Sequence, residues 1–203
     1  MKILFFFTSF SQLNHNKYQL EIFNKINNIN RDDLFIDIII HNNNKDFNLN
    51  MIENSLDKNN LMKIKNIRDV KYIHTKKNIG YLWGAQEALS DNFSRFKEYD
   101  YVIHLNTNIY ILNIVSLIDY LYDNLKNDII FFVNLFRKNK GFRTNLTIFK
   151  PQINIYSKYK RKSYKKNLKP EQIPEKMLEY RIKTKNIKYT ILPDIFYVKS
   201  DSK

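Results

Sequence analysis

Lys2-Ile3-Leu4-Phe5-Phe6-Phe7-Thr8 opens the chain, and Leu34-Phe35-Ile36-Asp37-Ile38-Ile39-Ile40-His41 repeats its character. Apolar residues here follow one another instead of alternating with polar ones, which fits strands covered on both faces in a parallel sheet. Apolar runs at 70–74, 101–105, 129–135, 146–149 and 188–192 read as further strands. Helical patterns lie between them. Leu20, Phe23, Ile26 and Ile29 share one face; Leu82, Ala85, Leu89, Phe93 and Phe96 share a second; Ile114, Ile118, Leu121 and Leu125 share a third. Met177, Tyr180 and Ile182 mark a shorter helix opened by Pro174, and 52–62 is a weaker candidate. Strands alternating with helices predict an α/β fold, a mostly parallel central sheet with helices on both faces.

At 203 residues, the chain is read as one domain over 1–203. It shows no internal repeat and no linker rich in Pro, Gly or Ser. Hydrophobic residues make up 43%, enough to build a core. The formal charge of +14 suggests a polyanion partner until its location is considered. No acidic residue lies between Asp128 and Glu171, and twelve of the 34 basic side chains fall there, close to the whole excess. Within it, 152–170 lacks periodicity and reads as a basic loop. The absence of cysteine excludes disulfides, thiolate metal sites and a cysteine nucleophile, and fits a cytoplasmic setting. No run is apolar for the ~20 residues that span a bilayer, so none is expected to cross one.

Only three glycines occur, at 80, 84 and 141, which excludes a dinucleotide G-x-G-x-x-G, a Walker loop and a G-x-S-x-G nucleophile elbow. The four histidines, His15, His41, His74 and His104, are far apart in sequence and give no H-E-x-x-H zinc motif. In parallel sheets ligands bind beyond the carboxyl ends of strands. The segments to inspect are therefore those after Phe7, Ile40, His74 and Leu105, and all four are polar.

Two of these carry a pattern. Asn78-Ile79-Gly80-Tyr81-Leu82-Trp83-Gly84 is followed by a strand ending in Asn106-Thr107-Asn108. In order and spacing the chain resembles the nucleotide-sugar glycosyltransferases of the GT-A fold, in particular the small family 2-like branch. Those enzymes carry an N-x-G-Y-x-x-G helix start and then a strand ending in Asp-x-Asp. The resemblance implies a GT-A architecture and transfer of a sugar from a nucleotide-sugar donor to a glycan or lipid-linked acceptor. It places Thr8 and Ser9 near the donor base, Asn42 or Asn43 beside it, and Asn78, Gly80 and Tyr81 at the ribose or diphosphate, with Gly84 in the same helix. A general base is expected near the start of a late helix, where Glu175 is the candidate, with Glu179 and Asp194 in reserve.

Here the Asp-x-Asp motif is degenerate. It normally anchors a divalent cation, Mn or Mg, whereas Asn106 and Asn108 offer neutral amides, and hard cations prefer carboxylates. Lys158, Arg161 and their neighbours on the basic loop are a candidate substitute for that charge. Alternatives stay open: glycines that only let a helix pack closely, a basic loop that is only solvated, and a Glu175 that complements a helix dipole. Other readings are a binding protein on the same fold without transfer, peripheral contact of the basic loop with an anionic membrane, and a single-strand nucleic-acid binder using its Lys and Tyr residues.

Overall fold

The computed structural model describes residues 1–9, 16–42, 58–75, 81–106, 109–127, 130–133, 143–153, 173–193 and 196–199. The strands are β1 (Lys2–Ser9), β2 (Phe35–Asn42), β3 (Ile67–His74), β4 (Tyr101–Asn106), β5 (Ile109–Ile111), β6 (Ile130–Val133), β7 (Arg143–Phe149), β8 (Tyr189–Leu192) and β9 (Tyr197–Lys199). The helices are α1 (Asn16–Ile26), the single turn α2 (Lys58–Leu61), α3 (Tyr81–Asp91), α4 (Ile114–Asp123) and α5 (Ile173–Thr184), with a 3-10 helix at Phe93–Glu98. Seven strands form one sheet in the order β3-β2-β1-β4-β7-β6-β8, and β5 pairs with β9 in a small second sheet. Within the large sheet only β7 runs against the others. The expected α/β class, mostly parallel and covered on both faces, is what the chain adopts.

Right-handed crossovers explain which helix lies on which face. From β1 the chain steps outward through α1 to β2 and through α2 to β3, then returns through α3 to β4 on the other side of β1. Steps in opposite directions put their helices on opposite faces. Accordingly Ile22, Phe23 and Ile26 of α1, with Leu117, Ile118 and Leu121 of α4, pack on Ile3, Phe5 and Phe7. Ala88 and Leu89 of α3, Phe96, and Leu178 and Ile182 of α5 pack on Leu4, Phe6 and Val102. β1 is buried on both faces from Ile3 to Thr8, as its unbroken apolar run requires.

Several boundaries differ from the sequence reading. The helix expected to run through Phe96 stops at Asp91, because the Asn92 side chain donates to the Ala88 carbonyl at 2.8 Å and competes with the backbone ladder. The 3-10 turn that follows brings Phe96 edge-on to Phe6, with ring centroids 6.0 Å apart. Strands β1, β2 and β4 extend into segments read as polar loops, since β1 keeps its pairing with both neighbours through Thr8. The short strands β5 and β9 were not foreseen. Of the weak 52–62 candidate only Lys58–Leu61 is described as helix.

The end of α5 is closed by a left-handed residue. Asn186 has φ 49°, its N–H donates to the Lys183 carbonyl at 3.2 Å, and Ile187 N–H donates to Ile182 at 3.0 Å. This pair of bonds is the Schellman termination, and Ile187 packs on the core beside Ile182.

At the amino edge of the sheet, Asp37 is buried and accepts from Arg68 (2.5 and 3.2 Å) and from the Tyr99 hydroxyl (2.6 Å). Burial, followed by the bond to Asp37, pushes the Tyr99 phenol well above its ordinary pKa. Replacing Tyr99 with Phe is expected to lower unfolding free energy by about 0.5–1.5 kcal/mol. Asp37→Ala, which strips the charged acceptor from both partners, should cost about 1.5–3 kcal/mol. Urea unfolding of both variants measures this; equal small effects would contradict the role given to Asp37.

Candidate functional site

The strand order reverses direction at β1, with β2 and β3 on one side and β4 on the other, and such a switch point opens a crevice at the carboxyl edge. Four candidate positions lie there. Thr8 is in register with His41 and with Asn106, and Ser9 is in register with Asn42. Thr8, Asn42 and Asn106 are buried, so they form the floor of the strand ends. Because side chains alternate along a strand, Thr8, His41, His104 and Asn106 share the face covered by α3, and Asn42 points to the α1 face.

The same edge receives the start of α3. β3 ends at His74, Thr75 N–H donates to the Asn42 carbonyl at 2.9 Å, and α3 begins at Tyr81. Residues 76–80, with Asn78 and Gly80, lie outside the described residues, but both their flanks are at the carboxyl edge. Asn108, two residues after Asn106 in sequence, lies outside them as well. Thr75 and Tyr81, which flank the glycine-bearing segment, and Asn106, which begins the polar triplet, are thus at one edge of the sheet. Gly84 and Ala85 are buried in the first turns of α3, where small side chains let the helix approach the polar strand ends.

A layer of buried polar side chains lies beneath α3. His104 Nε2 meets Thr8 Oγ1 at 3.2 Å, and His41 Nε2 meets Thr75 Oγ1 at 2.9 Å. Phe6 stands between the two imidazoles, 6.0 Å from each by ring centroids. Thr147 of β7, in register with His104, and Gln86 of α3 are also buried. Burial, and then the neighbouring His41, pushes the His104 imidazole down to about 3. Burial, and then His74, pushes His41 down to about 4. Both are neutral near pH 7. Histidines that are distant in sequence thus flank the same ring, Phe6, in the fold. His104, His41, Gln86 and Thr147 were not read as site residues, although His104 interrupts an apolar strand and that interruption was visible.

Other positions are set apart or undescribed. Glu175 is the third residue of α5; its side chain, together with Asn43, Lys158, Arg161 and Asp194, lies outside the described residues, and for Ser9 and Tyr81 only the backbone is described. Glu179 is engaged by Lys183 at 2.5 Å, one turn along α5. Among the described residues no three His, Cys, Asp or Glu side chains gather as a metal site. Asn106 supplies only a neutral amide, and both buried imidazoles spend Nε2 on threonines. Among the described residues, the donor set does not fit a resident divalent cation.

A cleft of about 480 Å³ lies at the opposite edge, lined by Lys126, Asn127, Ile153, Lys185, Asn186, Ile187 and Lys188. It sits where α4 and α5 end. Among the described residues, no candidate borders it. No described helix is long and apolar enough to cross a membrane.

No family model matches the sequence, and no curated protein matches it. Solved structures do match. The mannosyltransferase PcManGT from Pyrobaculum calidifontis, in complex with GDP-Man and Mn2+, superposes with a TM-score of 0.64 at 9% identity over 99% of this chain and 57% of its own. Residues 1–349 of S. aureus TarS in complex with UDP give a TM-score of 0.55 at 15% identity, covering 97% and 60%. The glycosyltransferase GlyE of Streptococcus pneumoniae TIGR4 gives 0.52 at 12%, covering 94% and 45%. This is the GT-A glycosyltransferase fold. The chain spans about half the length of these neighbours, between 45% and 60%.

Both buried histidines have folded-state pKa values below the unfolded value near 6.5, so the unfolded chain takes up protons first. Their contribution to stability is complete above about pH 6.5. It is lost as pH falls toward about 4 and about 3. In that window each should remove about 1.4 kcal/mol of unfolding free energy per pH unit. Urea titrations between neutral and acid pH, on the protein and on His104→Gln, should show a shallower acid slope in the variant. Parallel curves would contradict a buried neutral His104.

Proposed function

We propose that the chain is a glycosyltransferase that seats a nucleotide-sugar donor at the carboxyl edge and passes its sugar to a glycan or lipid-linked acceptor. The observation that carries this reading is the convergence of Thr8, Asn42, Asn106 and the start of α3 at the β1/β4 switch point of a GT-A fold. Two superposable proteins were solved with GDP-Man and with UDP, ligands that share a nucleoside diphosphate.

In this reading Thr8 and Ser9 border the base, with Asn42 or Asn43 beside it. Asn78, Gly80 and Tyr81 present the ribose and diphosphate to the first N–H groups of α3, whose positive end suits an anion. Gly84 keeps that helix close. Lys158 and Arg161 close over the diphosphate and offset the negative charge that develops on the leaving group. Glu175 takes the proton from the acceptor hydroxyl. The chain leaves α5 at the amino edge through Asn186, and α5 packs along the sheet face, which supports placing Glu175 toward the crevice. No step is assigned to a metal ion. The neutral amides at Asn106 and Asn108 favour one further reading, a protein that binds the donor without transferring the sugar.

Thermal shifts with UDP- and GDP-sugars, followed by donor turnover, separate the two. The expected result is stabilisation by a nucleotide-sugar together with turnover. Glu175→Gln should lower turnover by about a hundredfold or more and keep donor binding. Binding with no turnover by the unaltered protein would favour the binding protein, and no shift with any donor would overturn both. Asn108→Asp should raise manganese affinity in the presence of donor, since an added carboxylate supplies the ligand that hard cations prefer; unchanged affinity would separate the triplet from the diphosphate.

A further inference from the structure

Five polar atoms beneath α3 have no hydrogen-bond partner among the described residues: Nδ1 of His41, Nδ1 of His104, Oε1 and Nε2 of Gln86, and Oγ1 of Thr147. All four side chains are almost wholly buried. They share one face. His104 and Thr147 are in register on the adjacent strands β4 and β7, and His41 stands on β2, across β1 from them, in register with Thr8, all on the face that α3 covers. Gln86 lies on the buried side of α3, one turn closer to the helix start than Leu89, which packs on that face. Native interiors leave few such atoms unpaired, and each unsatisfied one costs about 1–3 kcal/mol. Four buried residues with unpaired atoms on one face therefore call for partners of their own.

We propose that this layer is a binding site for ordered internal water, and that the bound water floors the crevice between the ends of β1 and β4. The donor and acceptor inventory suits water. Each neutral imidazole spends Nε2 on a threonine hydroxyl and keeps Nδ1, a donor or an acceptor according to tautomer. Gln86 offers one acceptor and a donor pair, and Thr147 offers both functions. Water, which both donates and accepts, matches every combination. A buried water makes about three hydrogen bonds, so about two waters supply enough bonds for the five atoms. A metal is a poorer occupant, since an amide, a hydroxyl and two neutral imidazoles supply no anionic ligand. Through the bond between Thr8 and His104 the water layer is continuous with the floor of the crevice. Calling that space a donor crevice rests on the reading above; the water site itself does not.

The test is a crystal structure of the protein at a resolution that shows ordered solvent, with and without a nucleoside diphosphate, beside the near-isosteric Thr147→Val. The expected result is about two waters bonded to His104 Nδ1 and to Gln86 or Thr147, one of which is lost in Thr147→Val while Thr147→Ser retains it. Direct pairing of Gln86 with the imidazoles in a dry layer would overturn the proposal, as would an unchanged water set in Thr147→Val. The two readings fail separately. A dry layer in a protein that binds nucleotide removes only the water site, whereas a hydrated layer in one that binds none upholds it and counts against the donor crevice.

Discussion

β1 is hydrogen-bonded to β2 on one side and β4 on the other, and this double pairing is the constraint on which the molecule rests. A strand held on both edges and covered on both faces has no water to turn to, so its side chains must be apolar or paired. From Ile3 to Phe7 they are apolar. At Thr8 the rule changes, and the hydroxyl finds His104 on the adjacent strand. The same pairing brings Asn106 opposite Thr8 and Asn42 opposite Ser9, so polar residues of three separate segments meet at one edge.

That meeting has a cost in a layer where the dielectric is low. Neutral histidines tolerate it better than charged ones, which is why burial holds both His41 and His104 deprotonated. Small residues at 84 and 85 bring α3 down onto this layer, whereas one turn later Ala88 and Leu89 return to apolar contact with Phe6 and Val102. The helix thus spans two environments, polar at its start and dry beyond. At the amino edge the polar demand is met differently, by the pairing of Asp37 with Arg68 and Tyr99.

Much of this was legible in the residues. Unbroken apolar runs announced buried parallel strands, and the spacing of Leu82, Ala85 and Leu89 announced a helix above them. Strand ends were less legible, because Thr8, His41, Asn42 and Asn106 look like loop residues until their neighbours pair with them. The break at Asn92 depends on one side-chain bond to Ala88, which periodicity does not register. β5 and β9 are three residues each, too short to carry a pattern, and they exist because they pair with each other. The polar layer was missed for a similar reason. Its members come from β1, β2, β4, β7 and α3, and only strand register assembles them. The chemistry of Glu175 and of the basic segment stays at the level of the resemblance, since the side chains of Glu175 and of residues 154–170 fall outside the described residues.

The central claim is that a nucleoside diphosphate lodges at the carboxyl edge where β1 and β4 part. Amide chemical-shift mapping on the labelled protein, titrated with UDP and with GDP, tests it most directly. The account predicts shifts centred on Thr8, Ser9, Asn42, Asn106 and the start of α3. Shifts centred instead on the lysine-lined cleft at the opposite edge, between Lys126 and Lys188, would contradict it.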